Sequence, residues 1–182
     1  DESSYNTSYG KFIAEPFERG YGTTIGNSIR RVLLSSLEGA AVTAVKFEGV
    51  SPEFSTIPGV AEDVTEILMS VKRLILKTHT RSPKILTLST DKKGSITAGQ
   101  IVTDETVEVL NPDLHIATLT KSSSLHMEME VGVGRGYVPA DRNRRDSQPI
   151  GVVPVDSIFS PVRRVNFSVE NTRVGQMTDY DR

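Results

Sequence analysis

Three histidines, a glycine string, a Gly-Thr-Thr that opens a helix, two alternating glutamates and an arginine-rich segment are the residues whose types could carry chemistry. His79, His115 and His126 fall in separate predicted strands, at no spacing that assembles a metal set or a nucleophile-base-acid triad. Core or surface histidines are the expectation. GVGRG at 132–136 has the glycine content of a phosphate cradle, but YVPADR follows it where a nucleotide site needs a helix N-terminus, so a turn or flexible loop is expected. GTTIG at 22–26 does open a predicted helix and could receive an anion there, yet it lacks the lysine of a P-loop. Glu128 and Glu130 share a strand face with nothing nearby to desolvate either carboxyl for acid/base work. Arg135, Arg142, Arg144 and Arg145, diluted by Asp141 and Asp146, read first as solvated loop and second as a partner or nucleic-acid contact. No catalytic residue, metal or cofactor is expected.

Composition narrows the classes further. The 182 residues are 37% hydrophobic and 24% charged, the balance of a globular protein rather than a disordered or fibrous one. Twenty-one Lys and Arg against 23 Asp and Glu leave a net charge of -2, so no global basic field holds nucleic acid by counterion release. The absence of Cys removes disulfides, thiolate metal sites and cysteine nucleophiles, and fits a reducing compartment. No apolar run approaches the roughly 20 residues of a membrane span. The chain begins at Asp1 and stops on the polar run TDYDR, which closes no periodic element, and so reads as a fragment.

The elements that must position these residues follow from periodicity and punctuation. A polar arm leads to a short strand at 11–17, a glycine turn at 18–22 and a helix from Thr23 to Leu37 with Thr23 or Thr24 as its cap. Past Gly39, β-branched residues predict a strand at 40–47, then a Pro-Gly loop at 53–60 and a second helix over 60–74. Strands are predicted at 74–80, 84–90, 95–101, 106–110, 115–120 and 124–131, with DKKG at 91–94 as a hairpin turn. In the strand 124–131, Leu125, Met127, Met129 and Val131 take one face, and His126, Glu128 and Glu130 the other. The segment 132–149 reads as a long connection, followed by strands at 150–155, an edge strand because of Pro154, and 164–171. Two helices among many short strands predict an α+β fold.

The helix faces point to partners. On the first helix Ile25, Ile29, Val32, Leu33 and Ser36 form the stripe expected to be buried, whereas Leu34 lies about 140° from its centre, flanked by Arg30 and Arg31. Leu34 should be wet in a lone protomer, either as an ordinary exposed leucine or as an interface anchor beside an arginine. On the second helix Val60, Val64, Ile67, Leu68 and Val71 form the stripe, and Met69 points away among Glu62, Glu66, Lys72 and Arg73, a set that reads first as a solvated face.

Five colinear stretches, EPFERGYGTTIGNSIRRVLLSSLEGAAVTAV (15–45), EFSTIPGVAEDVTEIL (53–68), VLNPDLHIATL (109–119), GRGYVPADRN (134–143) and QPIGVVPVDSIFSPVRRVNFSVENTRVGQMTDYD (148–181), closely resemble the N-terminal domain of the α subunit of bacterial-type DNA-dependent RNA polymerase. The resemblance implies a dimerisation subdomain from residues 1–38 and 162–182 and an inserted, mostly antiparallel β subdomain at 39–161. It implies a cytoplasmic homodimer, a non-catalytic platform for the β and β′ subunits that meets DNA only through the assembled enzyme and meets no membrane. Ile25, Ile29, Val32 and Leu33 match dimer positions, Arg31 and Leu34 match positions contacting β, and Glu66, Lys72 and Val155 match the β′ side. Members of that family continue beyond TDYD with a strand, a long helix, a linker and a DNA-binding domain. The rival reading is a small nucleotide- or nucleic-acid-binding module using GVGRG and the arginines.

Overall fold

The structure, a computed structural model, describes residues 5–49, 56–120, 123–145, 148–149 and 151–182. The opening of the polar arm, residues 53–55 of the Pro-Gly loop, Asp146 of the arginine-rich segment and Ile150 of the strand 150–155 lie outside the described residues. In chain order the elements are β1 (Phe17–Glu18), α1 (Tyr21–Ser35), β2 (Glu38–Phe47), α2 (Val64–Val71), β3 (Leu76–Thr78), β4 (Lys84–Thr90) and β5 (Gly94–Thr97). After a short 3₁₀ turn at Ala98–Gln100 come β6 (Val107–Val109), β7 (His115–Leu119), β8 (Leu125–Arg135), β9 (Tyr137–Val138) and α3 (Ala140–Asn143). The last are β10 (Val152–Pro154), β11 (Ser157–Ile158), β12 (Asn171–Val174) and β13 (Met177–Asp181). The fold is α+β with antiparallel sheets, in two compact units: Asp1–Leu34 with Val162–Arg182, and Ser35–Pro161.

In the larger unit a six-stranded sheet is ordered β4-β8-β2-β3-β6, with β10 also on β2. Its spine is the pairing of β2 with β8, from Glu38 opposite Arg135 to Phe47 opposite Met127, with an irregularity between Val42 and Ala44. Leu125, Met127, Met129 and Val131 are buried as the alternation predicts, while His126, Glu128 and Glu130 stay half-buried on the other face. They join Val45, Leu86, Leu88, Ile96, Ile116 and Leu119 in one core. Each such side chain contributes roughly 1.5–3 kcal/mol when fully withdrawn from water.

Two glycines of GVGRG lie inside this ladder. β8 runs through Arg135, so Gly132 and Gly134 are strand residues, not a loop. Gly134 stands opposite Gly39, and a Cβ on Gly134 would come within 2.7 Å of the Phe159 ring. A Cβ on Gly39 would meet the Phe159 carbonyl oxygen at 1.9 Å. The glycines are there so that Phe159, itself buried, can lie on bare backbone.

α2 is shorter than its periodicity, because Asp63 caps it. The Asp63 Oδ1 accepts from the Glu66 N–H at 2.7 Å and the Glu66 carboxylate accepts from the Asp63 N–H at 3.3 Å, a capping box that fixes the first turn. Val60 instead bridges to Leu119. Val64, Ile67 and Val71 enter the core and Met69 is 62% exposed, as the wheel predicts. DKKG does not close a hairpin: β4 pairs with β8, whereas β5 pairs with β7. β10 has one partner, β2, which agrees with Pro154 at an edge.

In the smaller unit β12 and β13 form a hairpin turning at Gly175 (φ +63°), and β13 also pairs with β1. The polar TDYD run is therefore a strand, and the predicted strand 164–171 is irregular chain until Asn171. The strand predicted at 11–17 shrinks to Phe17–Glu18. α1 starts at Tyr21 because its cap comes from far along the chain: the Asp181 Oδ2 accepts from the N–H groups of Gly20 (2.8 Å) and Gly22 (3.1 Å). The anion that GTTIG could receive is this buried carboxylate, favourably placed at the positive end of the helix. One turn on, a Cβ at Gly26 would sit 2.5 Å from the Phe167 ring, so this glycine lets the strand-less segment press against α1.

Replacing Asp181 with Ala strands two N–H groups, and urea melts should show a loss of about 0.5–2 kcal/mol, with Asp181→Asn losing less. Gly134→Ala should cost about 1–3 kcal/mol by collision with Phe159, partly recovered in combination with Phe159→Leu.

Candidate protein-binding surface

The apolar stripe of α1 is not covered by its own protomer. Ile29 and Val32 are 50% and 53% exposed, while Ile25 and Leu33 are half-buried. The expectation of a buried stripe fails in part: Phe167 and Val169 approach α1 at Gly26 and Gly22, and Ile29 and Val32 stay half exposed. Leu34 is half-buried rather than wet, and Arg31 is exposed beside it. Arg30 is held along the same segment, its Nε donating to the Val165 carbonyl at 3.3 Å. One helix thus presents the half-exposed side chains of Ile29 and Val32 and an exposed arginine. A soluble chain rarely leaves such a stripe on a regular helix unless another surface covers it.

A second surface forms at the C-terminal end of α2. Lys72 is the C-cap residue, and its Nζ donates to Asp156 Oδ2 at 2.8 Å. The other oxygen of Asp156 accepts from the Ala140 N–H at 2.8 Å. Lys72 first, then the Ala140 amide, hold the Asp156 carboxyl below the usual aspartate range, against a smaller opposing effect of burial. The Asn143 amide donates to the Val155 carbonyl (2.6 Å) and to Ser157 Oγ (2.9 Å), and Ser157 Oγ donates to the Val42 carbonyl (2.7 Å). The PADRN turn is therefore a clamp that fixes the 155–157 segment against β2. Val155 itself is 2% exposed and lies in the core, so its side chain is not a surface contact; Lys72 and Asp156 carry the surface there. Glu66 is exposed at the opposite end of α2, tied up in the capping box, and the structure does not bring it together with Lys72.

The residues that suggested chemistry resolve otherwise. Ser95 Oγ and His115 Nδ1 are 3.0 Å apart, and His115 Nε2 and Glu62 Oε1 are 3.0 Å apart, a chain of contacts that the sequence spacing hid. Glu62 also accepts from the N–H (2.6 Å) and hydroxyl (2.9 Å) of Thr118. Burial pushes the Glu62 carboxyl up, but the hydrogen bonds from His115 and Thr118 outweigh it and hold the carboxyl below its ordinary value. The cluster moors the lead-in of α2 to β7, where the Ala61 N–H also donates to the Thr118 carbonyl. Among the described residues no group of His, Asp and Glu could hold a metal ion. Of the arginines, Arg135 shares Glu38 with Arg81, and Arg145 pairs with Glu130. With GVGRG in a strand and two of its four arginines neutralised by carboxylates, the nucleotide- or nucleic-acid-binding rival loses both its loop and much of its charge. No helix among the described residues is long and apolar enough to cross a membrane.

Residues 45–160 match the family described as RNA polymerase Rpb3/RpoA insert domain. The sequence is 61% identical, over 97% of this chain and 56% of the relative, to the DNA-directed RNA polymerase subunit alpha of Symbiobacterium thermophilum. It is 59% identical to the protein of that name from Moorella thermoacetica, over 96% of this chain and 56% of the relative. For Desulforamulus reducens the identity is 58%, over 100% and 58%. The chain spans little more than half the length of these relatives.

A carboxyl lowered by its partners stabilises the fold above its ordinary value near pH 4 and loses that contribution as the pH falls through its lowered folded value. Carbon-detected NMR titration should place Asp156 below a normal aspartate, and Lys72→Ala should move it back towards normal without shifting Glu62.

Proposed function

We propose, because the chain belongs to the RNA polymerase Rpb3/RpoA insert-domain family, that it is the N-terminal assembly portion of a DNA-directed RNA polymerase α subunit. It acts as a non-catalytic platform: two copies dimerise through the smaller unit, and the pair gathers the β and β′ subunits that carry the nucleotidyl-transfer site. The observation that carries this reading is the stripe of Ile29 and Val32, half exposed side by side on one face of a regular helix.

Three roles divide the surface. Ile25, Ile29, Val32 and Leu33 supply the dimer contact, each fully desolvated side chain contributing about 1.5–3 kcal/mol. Arg31 and Leu34, at the end of the same helix, face β, with the guanidinium fixing orientation through paired hydrogen bonds. Lys72, supported by Asp156, and Glu66 face β′; Val155 acts from inside by holding Asp156 in register. The chain itself performs no bond-breaking step. Its contribution to transcription is geometric, in the cytoplasm, and DNA is met through the assembled enzyme.

The test uses the full-length subunit. Ile29→Asp with Val32→Asp should leave the circular dichroism intact, since both side chains are exposed, and convert the sedimenting species from dimer to monomer. Arg31→Ala should reduce copurification with β at least tenfold while dimers persist, and Lys72→Ala should act on β′ recruitment instead. An unchanged dimer in the double variant would refute the platform reading at its base.

A further inference from the structure

The six-stranded sheet ends at β6, and nothing among the described residues pairs with the far side of that strand. β3 takes the backbone of alternate residues: the His79 N–H donates to the Thr106 carbonyl and the Leu110 N–H donates to the Ile75 carbonyl, both at 2.9 Å. Antiparallel alternation then turns the peptide groups of Val107 and Val109 outward. The Val107 N–H is satisfied by the Asp104 carbonyl at 3.3 Å. The Val107 carbonyl and both groups of Val109 are left at the edge with no protein partner among the described residues.

That edge is one wall of an open groove of about 440 Å³. Pro112, exposed, and Val109, half-buried, give the groove an apolar side, and Asp104, Glu105 and Glu108 give it an acidic one. No lysine or arginine lines it. Lys77 and Lys84 reach Glu108 and Asp104 from outside, whereas Glu105 has no ion-pair partner among the described residues. Hydrogen bonds from Thr106 and Lys84 hold the Asp104 carboxyl down to about 2, so this group stays charged at neutral pH.

We propose that the free edge of β6 is a strand-addition site for an extended segment of another protein, one that alternates small apolar residues with lysine or arginine. The main chain of such a segment would complete the ladder at Val107 and Val109, its apolar side chains would face Val109 and Pro112, and its cations would meet Glu105 and Glu108. A second copy of this chain is the poorer occupant, because antiparallel pairing of β6 with itself sets Glu108 and Glu105 against like charges. The site lies in the larger unit and stands independently of the dimer contact.

The probe is a fluorescein-labelled acetyl-Lys-Val-Lys-Val-Arg-Val-Lys amide, titrated into this chain by anisotropy and followed by amide hydrogen exchange. Saturable binding is expected, with at least tenfold slower exchange at the Val109 N–H. Glu105→Lys with Glu108→Lys, both at exposed positions, should weaken binding at least tenfold while leaving the melting curve close to that of the parent. A matched peptide with glutamate in place of its cations should not bind. Equal binding of the acidic peptide, binding without protection at Val109, or no saturable binding would each overturn the proposal.

Discussion

The pairing of β2 with β8 is the constraint on which the larger unit rests. One ladder from Glu38 to Phe47 sets which residues of both strands face the core, because a slip of one position would carry every side chain to the opposite face. Met127 and Met129 are driven inward on one strand while Val42, Val45 and Phe47 meet them from the other. The same register brings Gly39 and Gly134 face to face, and only that coincidence of two missing side chains leaves room for Phe159. The strand, the glycine pair and the aromatic ring are one arrangement.

Carboxylates from distant segments then finish what local sequence leaves open. Asp181 caps α1 across 159 residues of chain separation from Gly22, and Asp156 joins the end of α2 to the start of α3. Glu62 does the same for β7. Each satisfies donors that would otherwise be stranded, and each ties a helix end to a segment remote in sequence.

Helix α1 shows how a protomer can be both folded and unfinished. Its glycines accept Phe167 and Val169 from its own chain, while Ile29 and Val32 stay half exposed. The two faces differ by side-chain size alone: where Cβ atoms are absent a short irregular segment can come close, and where they are branched a larger complementary surface is required.

Much was legible beforehand. The period-two pattern of 124–131, the exposure of Met69, the strand at 84–90 and the edge position of Pro154 each depend on local pattern and came through unchanged. The α+β class followed from two helices set among many short strands. What local pattern could not give were the events with a remote cause. GVGRG looked like a loop because glycines disfavour strands, yet Phe159, over 20 residues away, makes bare backbone the requirement there. The helix capped by Asp181 rather than by Thr23, the TDYD run enlisted as a strand, and the Ser95–His115–Glu62 chain all join residues that sequence spacing keeps apart. Sequence by itself determined which segments were apolar, alternating or punctuated, since those follow from each residue's own chemistry. Tertiary structure decided which polar groups met and which apolar face stayed open, because satisfaction and cover depend on what the rest of the chain brings to that place in space.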